Sequence, residues 1–174
     1  TAEAIHRNKH LLKNIAAERI QSELCKMLCG QGVPDILLEY KDVMAVIIPE
    51  LEPCIGFEQN NPYHRYDVYD HIAHAVANYK GDDISVKMAL LLHDIGKPEC
   101  YTEDHNGGHF YGHSVPSMRI AEDVMDRLKF DNKTKNEVID LVLYHDADIY
   151  PGFRSVKRWL NEIGPEMLNK LIKI

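Results

Sequence analysis

Two side chains able to hold a metal ion stand next to each other in this chain. They are His93 and Asp94, which follow the apolar run Leu90-Leu91-Leu92 and precede Ile95-Gly96-Lys97-Pro98. Imidazole and carboxylate together suit a borderline or hard divalent cation, and a carboxylate can bridge two of them. A lone His-Asp pair arises often by chance, so the reading depends on partners. Three further histidines supply them: His71 upstream, His113 downstream, and His145, which is followed by Asp146.

The elements that must position these residues read as helices. Apolar residues recur at three- and four-residue steps and no alternating strand pattern is present, which predicts an all-α fold. Residues 2–29 read as one long amphipathic helix closed by Gly30, and Pro34 to Ile48 as a second, ended by Pro49. Residues 49–68 are irregular. Further helices are expected over Val68–Tyr79, from the capping pair Asp82-Asp83 to Ile95, and from Ser114 to Leu128. The capping box Thr134-Lys135-Asn136-Glu137 predicts another, running to His145. Residues 96–112 read as a loop, and 153–163 and 166–173 as two short helices divided by Gly164-Pro165. Each candidate ligand then falls at or near a helix end, where antiparallel neighbours can bring such ends together.

Bulk properties narrow the function classes. At 174 residues the chain is long enough for a core without disulfides, and 45% apolar with 27% charged residues is an ordinary globular composition. No apolar run approaches the ~20 residues that cross a bilayer. The cysteines Cys25, Cys29, Cys54 and Cys100 form no CxxC pair, so they read as reduced thiols in a cytoplasmic setting, without a zinc cluster. A net charge of −7 argues against a surface that is a nucleic-acid glove throughout, while leaving room for a local basic strip. The chain opens at Thr1 and closes on Leu171-Ile172-Lys173-Ile174 inside an apolar helical pattern, which is the expectation for a piece of a larger protein.

The ordered set His71, His93-Asp94, His113 and His145 resembles the HD superfamily of metal-dependent phosphohydrolases. The flanking strings are similar to one branch, the HD domain in the C-terminal half of bacterial CCA-adding tRNA nucleotidyltransferases and poly(A) polymerase relatives. Those strings are Ile48-Pro49-Glu50-Leu51, Asn61-Pro62-Tyr63-His64-Arg65-Tyr66-Asp67-Val68, His93 to Pro98, and His109-Phe110-Tyr111-Gly112-His113.

The resemblance implies neck and body helices over 1–48, an HD domain over 49–174 that ends early, and an all-α bundle. It implies metal-dependent hydrolysis of phosphomonoesters or 2′,3′-cyclic nucleotides, with nickel, manganese, magnesium or cobalt ahead of zinc. His71, His93, Asp94 and His145 would be the principal ligands, and Asp94 would bridge if two ions bind. His113 would serve the second ion or the phosphate, and Lys97 would stabilise phosphate oxygens. The family commonly takes a last ligand from a later Ala-Asp pair; Asp146 or Asp148 would have to substitute for it here. The family's nucleotide-adding head has no counterpart, so this chain alone is not expected to add nucleotides. A tRNA partner would meet His64 and Arg65 in the motif loop, and Arg7, Lys9 and Lys13 on the first helix. The rival readings are a tRNA-binding module with an idle site and a stand-alone nucleotide phosphohydrolase. His74, His105 and His109 read as ordinary helix or loop histidines, and Tyr63, Tyr66, Tyr69 and Phe110-Tyr111 as packing residues.

Overall fold

The computed structural model describes residues 1–60, 65–105 and 107–174. The fold is helical, as its periodicity demands, but the first long stripe does not make one rod. It forms α1 (Ala2–Asn8), a 3-10 segment over Lys9–Asn14, and α2 (Ala17–Leu28), with Ile15 and Ala16 extended between them. The expected second helix likewise divides at Tyr40 into α3 (Val33–Glu39) and α4 (Lys41–Ile47). One contact region accounts for both departures. The 3-10 segment lies against α4, where Asp42 accepts His6 at 2.8 Å and Lys9 at 2.7 Å, while α2 turns Leu24 and Leu28 into the core. Periodicity records which residues want burial; it does not record that two different surfaces bury them.

Beyond a 3-10 turn over Pro49–Cys54, the remaining elements begin with α5 (Val68–Asn78), α6 (Ile84–Leu92) and the single turn α7 (Lys97–Cys100). A two-stranded antiparallel sheet follows, β1 (Thr102–Asp104) with β2 (Gly107–His109), then α8 (Ser114–Arg127), α9 (Asn132–Tyr144) and α10 (Phe153–Leu171). The hairpin was not expected, since strands of this length are too short to show alternation. Gly108 is needed in it: a Cβ there would collide with the Gln59 carbonyl. Gly164, at φ 78° and ψ 167°, breaks α10 where the Gly-Pro pair predicted a division.

α6 is the central element, with every residue from Ser85 to Leu92 buried. Its start is fixed by Asp83, whose carboxylate accepts from the Ser85 and Val86 amides, and α5 starts the same way on Asp67. Lys87 is the one cation among these buried residues. Its ammonium donates to the Tyr79 carbonyl at 2.8 Å, closing the orphan end of α5, and its burial lowers its pKa.

α8 and α9 pack against each other and α9 against α6. The cap of α9 is Asp131, which accepts from the Thr134 amide and hydroxyl, not the expected Thr134 box. Glu137 instead leaves the helix to bind Ser85 Oγ and Lys170 Nζ, both at 2.7 Å, tying α10 to α6.

Burial alone would raise the Glu137 pKa, but Lys170 and Ser85 hold it below its ordinary value near 4.5. A depressed folded pKa contributes stability that is complete above the ordinary value and lost as pH falls below it. Acid titration of unfolding free energy is therefore expected to fall less steeply below about pH 4.5 in Glu137→Gln than in the parent. Parallel curves for the two proteins would contradict this.

Candidate metal centre

Four helix ends meet around one carboxylate. His71 stands in the first turn of α5, His93 and Asp94 follow α6, His113 precedes α8, and His145 follows α9. Asp94 is 2% exposed, and its Oδ2 lies 3.3 Å from His71 Nε2, 3.2 Å from His93 Nε2 and 2.8 Å from Lys97 Nζ. Its Oδ1 lies 3.0 Å from His113 Nε2 and 3.7 Å from His145 Nε2.

The ring orientations have a local cause. His93, His113 and His145 each place Nδ1 against a backbone carbonyl one turn back: Leu90 at 2.8 Å, Phe110 at 2.9 Å and Val142 at 2.7 Å. A carbonyl can only accept, so each Nδ1 carries the proton and each Nε2 faces Asp94. This is how protein metal sites orient their imidazoles. His113 Nε2 and His145 Nε2 also sit 3.0 Å apart.

These distances test whether the donor set fits an ion. Ligands about 2.1 Å from one cation, at tetrahedral or octahedral angles, lie about 3.0–3.4 Å from each other. Two overlapping groups fall near that spacing, His71 with His93 and Asp94, and Asp94 with His113 and His145; in each the donor atoms lie within 4.8 Å of one another. The residues fit a divalent cation at either position, with Asp94 common to both.

Electrostatics support the carboxylate as an anion. Burial pushes the Asp94 pKa up, but the surrounding imidazoles, His93 foremost and then His113 and His145, outweigh it and hold the carboxyl well below the usual range. Burial in turn lowers the His93 pKa, and the charge of Asp94 more than reverses this.

Other expected site residues land differently. Lys97 is buried and already engaged, donating to Gln59 Oε1 at 3.0 Å and to Asp94, with the Phe110 ring 5.2 Å away. Asp146 and Asp148 are exposed, and neither belongs to a metal-capable group among the described residues. Arg7, Lys13 and Arg65 are exposed, Lys9 is paired with Asp42, and His64 lies outside the described residues, as does Tyr63. The basic face drawn on a single first helix is thus divided, and one of its cations is neutralised. His74 stacks on Tyr66 at 4.2 Å, and Tyr69 and Phe110 are buried as packing residues, whereas Tyr66 and Tyr111 are exposed.

Two residues that position the site escaped the sequence reading. Gln59 holds Lys97 and donates to the Tyr66 carbonyl, and no spacing rule could have singled it out. Ser117 accepts the Gly96 amide at 2.9 Å. Its place one turn after His113 on α8 is a signal that could have found it. Beyond His71 and His93 the centre opens into a cleft of about 570 Å³, lined also by Tyr66, His74, Lys80 and Lys173.

Residues 63–167, more than half the chain, match the family described as HD domain. The chain belongs to the HD domain family. Residues 1–55 match a second family, described as the probable RNA and SrmB-binding site of polymerase A. Among whole proteins, an A-adding tRNA nucleotidyltransferase of Deinococcus radiodurans is 26% identical over 90% of this chain and 38% of its own length. A CC-adding tRNA nucleotidyltransferase of Thermus thermophilus is 28% identical over 82% of this chain and 34% of its own. A multifunctional CCA protein of Nitrosococcus oceani is 27% identical over 86% and 38% respectively. The chain thus spans little more than a third of these relatives. The HD chain's similarity to CCA-adding tRNA nucleotidyltransferases, first visible in the flanking strings, is borne out. No helix among the described residues is long and apolar enough to cross a membrane.

Proposed function

We propose that this HD domain is a metal-dependent phosphohydrolase acting on phosphomonoesters or 2′,3′-cyclic nucleotides. The observation that carries the reading is the convergence of four imidazole Nε2 atoms on the buried carboxylate of Asp94. A bound divalent ion supplies Lewis-acid chemistry, lowering the pKa of water and neutralising charge that develops on phosphoryl oxygens. His71, His93 and Asp94 would hold one ion, and Asp94, His113 and His145 would offer a second position. The all-nitrogen-and-oxygen donor set favours nickel, manganese, magnesium or cobalt over zinc. Lys97 balances Asp94 and fixes its Oδ2, while Lys80 and Lys173 in the cleft offer positive charge to a phosphate.

In this reading the chain is part of a cytoplasmic CCA-adding-type enzyme, with neck and body helices over 1–48 and the HD domain over 49–174. Arg7 and Lys13 then contact tRNA. A second reading, an RNA-gripping module with an idle centre, draws support from the family match of residues 1–55.

The test loads metal-free protein with nickel, manganese, cobalt or magnesium, then follows hydrolysis of p-nitrophenyl phosphate and a 2′,3′-cyclic nucleotide. Turnover is expected with at least one metal, and His93→Ala should reduce it at least about 100-fold. Absence of turnover across the metal panel would overturn the hydrolase and leave the RNA-binding module.

A further inference from the structure

We infer that the N-terminal part of α10, with the segment leading into it, is a binding surface for single-stranded RNA, separate from both the metal centre and residues 1–55. Tyr150 is 65% exposed and Phe153 82% exposed, a costly display of apolar ring for an unoccupied surface. Arg154, Lys157 and Arg158 interleave with them. Tyr150, Arg154 and Arg158 line one cleft of about 490 Å³ together with Ser155 and Asp148. Phe153 and Lys157 form the adjacent row one helical turn apart, with the Lys157 ammonium 5.9 Å from the Phe153 ring centre.

The cations here meet aromatic rings and no carboxylate: Lys157 lies over Phe153, and the Arg158 guanidinium lies 5.4 Å from the Trp159 ring centre. Lys9, Lys41, Arg119, Arg127, Lys135 and Lys170 all meet carboxylates. Among the described residues, none of Arg154, Lys157 and Arg158 has such a partner. In a chain of net charge −7, a run of unpaired cations is a local positive patch against the prevailing field. Unpaired cations beside exposed aromatic rings suit a polyanion with flat, apolar faces: phosphates on the cations, bases on the rings. A duplex keeps those faces stacked inside itself, so the fitting ligand is a single strand. The match of residues 1–55 to an RNA-binding family makes RNA the polymer to try.

The test is fluorescence anisotropy of a labelled single-stranded RNA of about twelve nucleotides, a length within the usual site sizes. EDTA is present throughout, so the outcome is independent of the hydrolase reading. Phe153→Leu should weaken binding at least about fivefold, while Phe153→Trp retains it. Arg154→Ala/Arg158→Ala should weaken it about tenfold and lower the salt slope by about 1.4, one single-strand phosphate contact per arginine. Arg154→Lys/Arg158→Lys should keep the slope. Thermal unfolding of each variant establishes that these exposed changes leave the fold intact. Parent-like binding by Phe153→Leu and by the double Ala variant would overturn the inference, as would equal affinity for a duplex. So would loss confined to Arg7→Ala/Lys13→Ala, which would place the RNA on the first helices instead.

Discussion

Replacing Asp94 with Asn is expected to lower divalent-metal affinity at least about 100-fold, close to 3 kcal/mol. The substitution preserves shape and removes the one anion common to both donor groups. It also leaves the Lys97 ammonium, 2.8 Å away and buried, without a counter-charge. Stranding a buried charge costs about 3–5 kcal/mol, so the metal-free variant should also unfold at lower urea than the parent. Pairing the change with Lys97→Met should recover much of that stability and none of the metal binding. Chelator competition and urea unfolding read the two effects separately. An Asn variant with parent-like affinity would mean that the imidazoles alone hold the ion.

The second large effect comes from a residue with no side chain. Gly96 follows Asp94 and Ile95 at the point where the turn after α6 runs against the start of α8. A Cβ at Gly96 would collide with the Ser117 amide and approach the Pro116 carbonyl carbon to 2.9 Å. Both are backbone, so neither can rotate aside, and the buried bond from the Gly96 amide to Ser117 Oγ would be broken as well. Overpacking of this kind costs about 1–3 kcal/mol, and loss of a buried hydrogen bond adds about 1–3 kcal/mol. Gly96→Ala is therefore expected to lose about 2–6 kcal/mol in urea unfolding and to weaken metal binding about tenfold, because Asp94 and Lys97 flank the shifted backbone. Gly112→Ala is the informative comparison. At φ 72° with open space around it, it should cost only the left-handed backbone strain of about 1–2 kcal/mol. Equal stability of Gly96→Ala and the parent would show that the turn can move away from α8.

These two residues also show how much of the centre could be read from the sequence. The metal-capable side chains, their order and their position at helix ends were legible, because helix periodicity is local and each histidine sits where a stripe stops. The shared carboxylate followed from the same pair. What was hidden depends on long-range packing. Nothing near Gln59 announces that it will hold Lys97, and nothing near Lys97 announces that it will turn to Asp94 rather than outward to a phosphate. The break of the first stripe at Ile15-Ala16 came from Asp42, far along the chain, drawing in both His6 and Lys9. The cap of α9 was misplaced because Asp131 and Thr134 both carry capping chemistry, and the ionised carboxylate took the position. The β hairpin was hidden by its shortness.

The most direct test of the centre is an X-ray absorption spectrum of protein stripped with EDTA, reloaded with nickel and desalted. The retained ion should show a first shell of nitrogen and oxygen at about 2.1 Å, with imidazole scattering and no sulfur, and it should be lost from Asp94→Asn. Nickel washed out of the parent, or held through sulfur, would contradict the account.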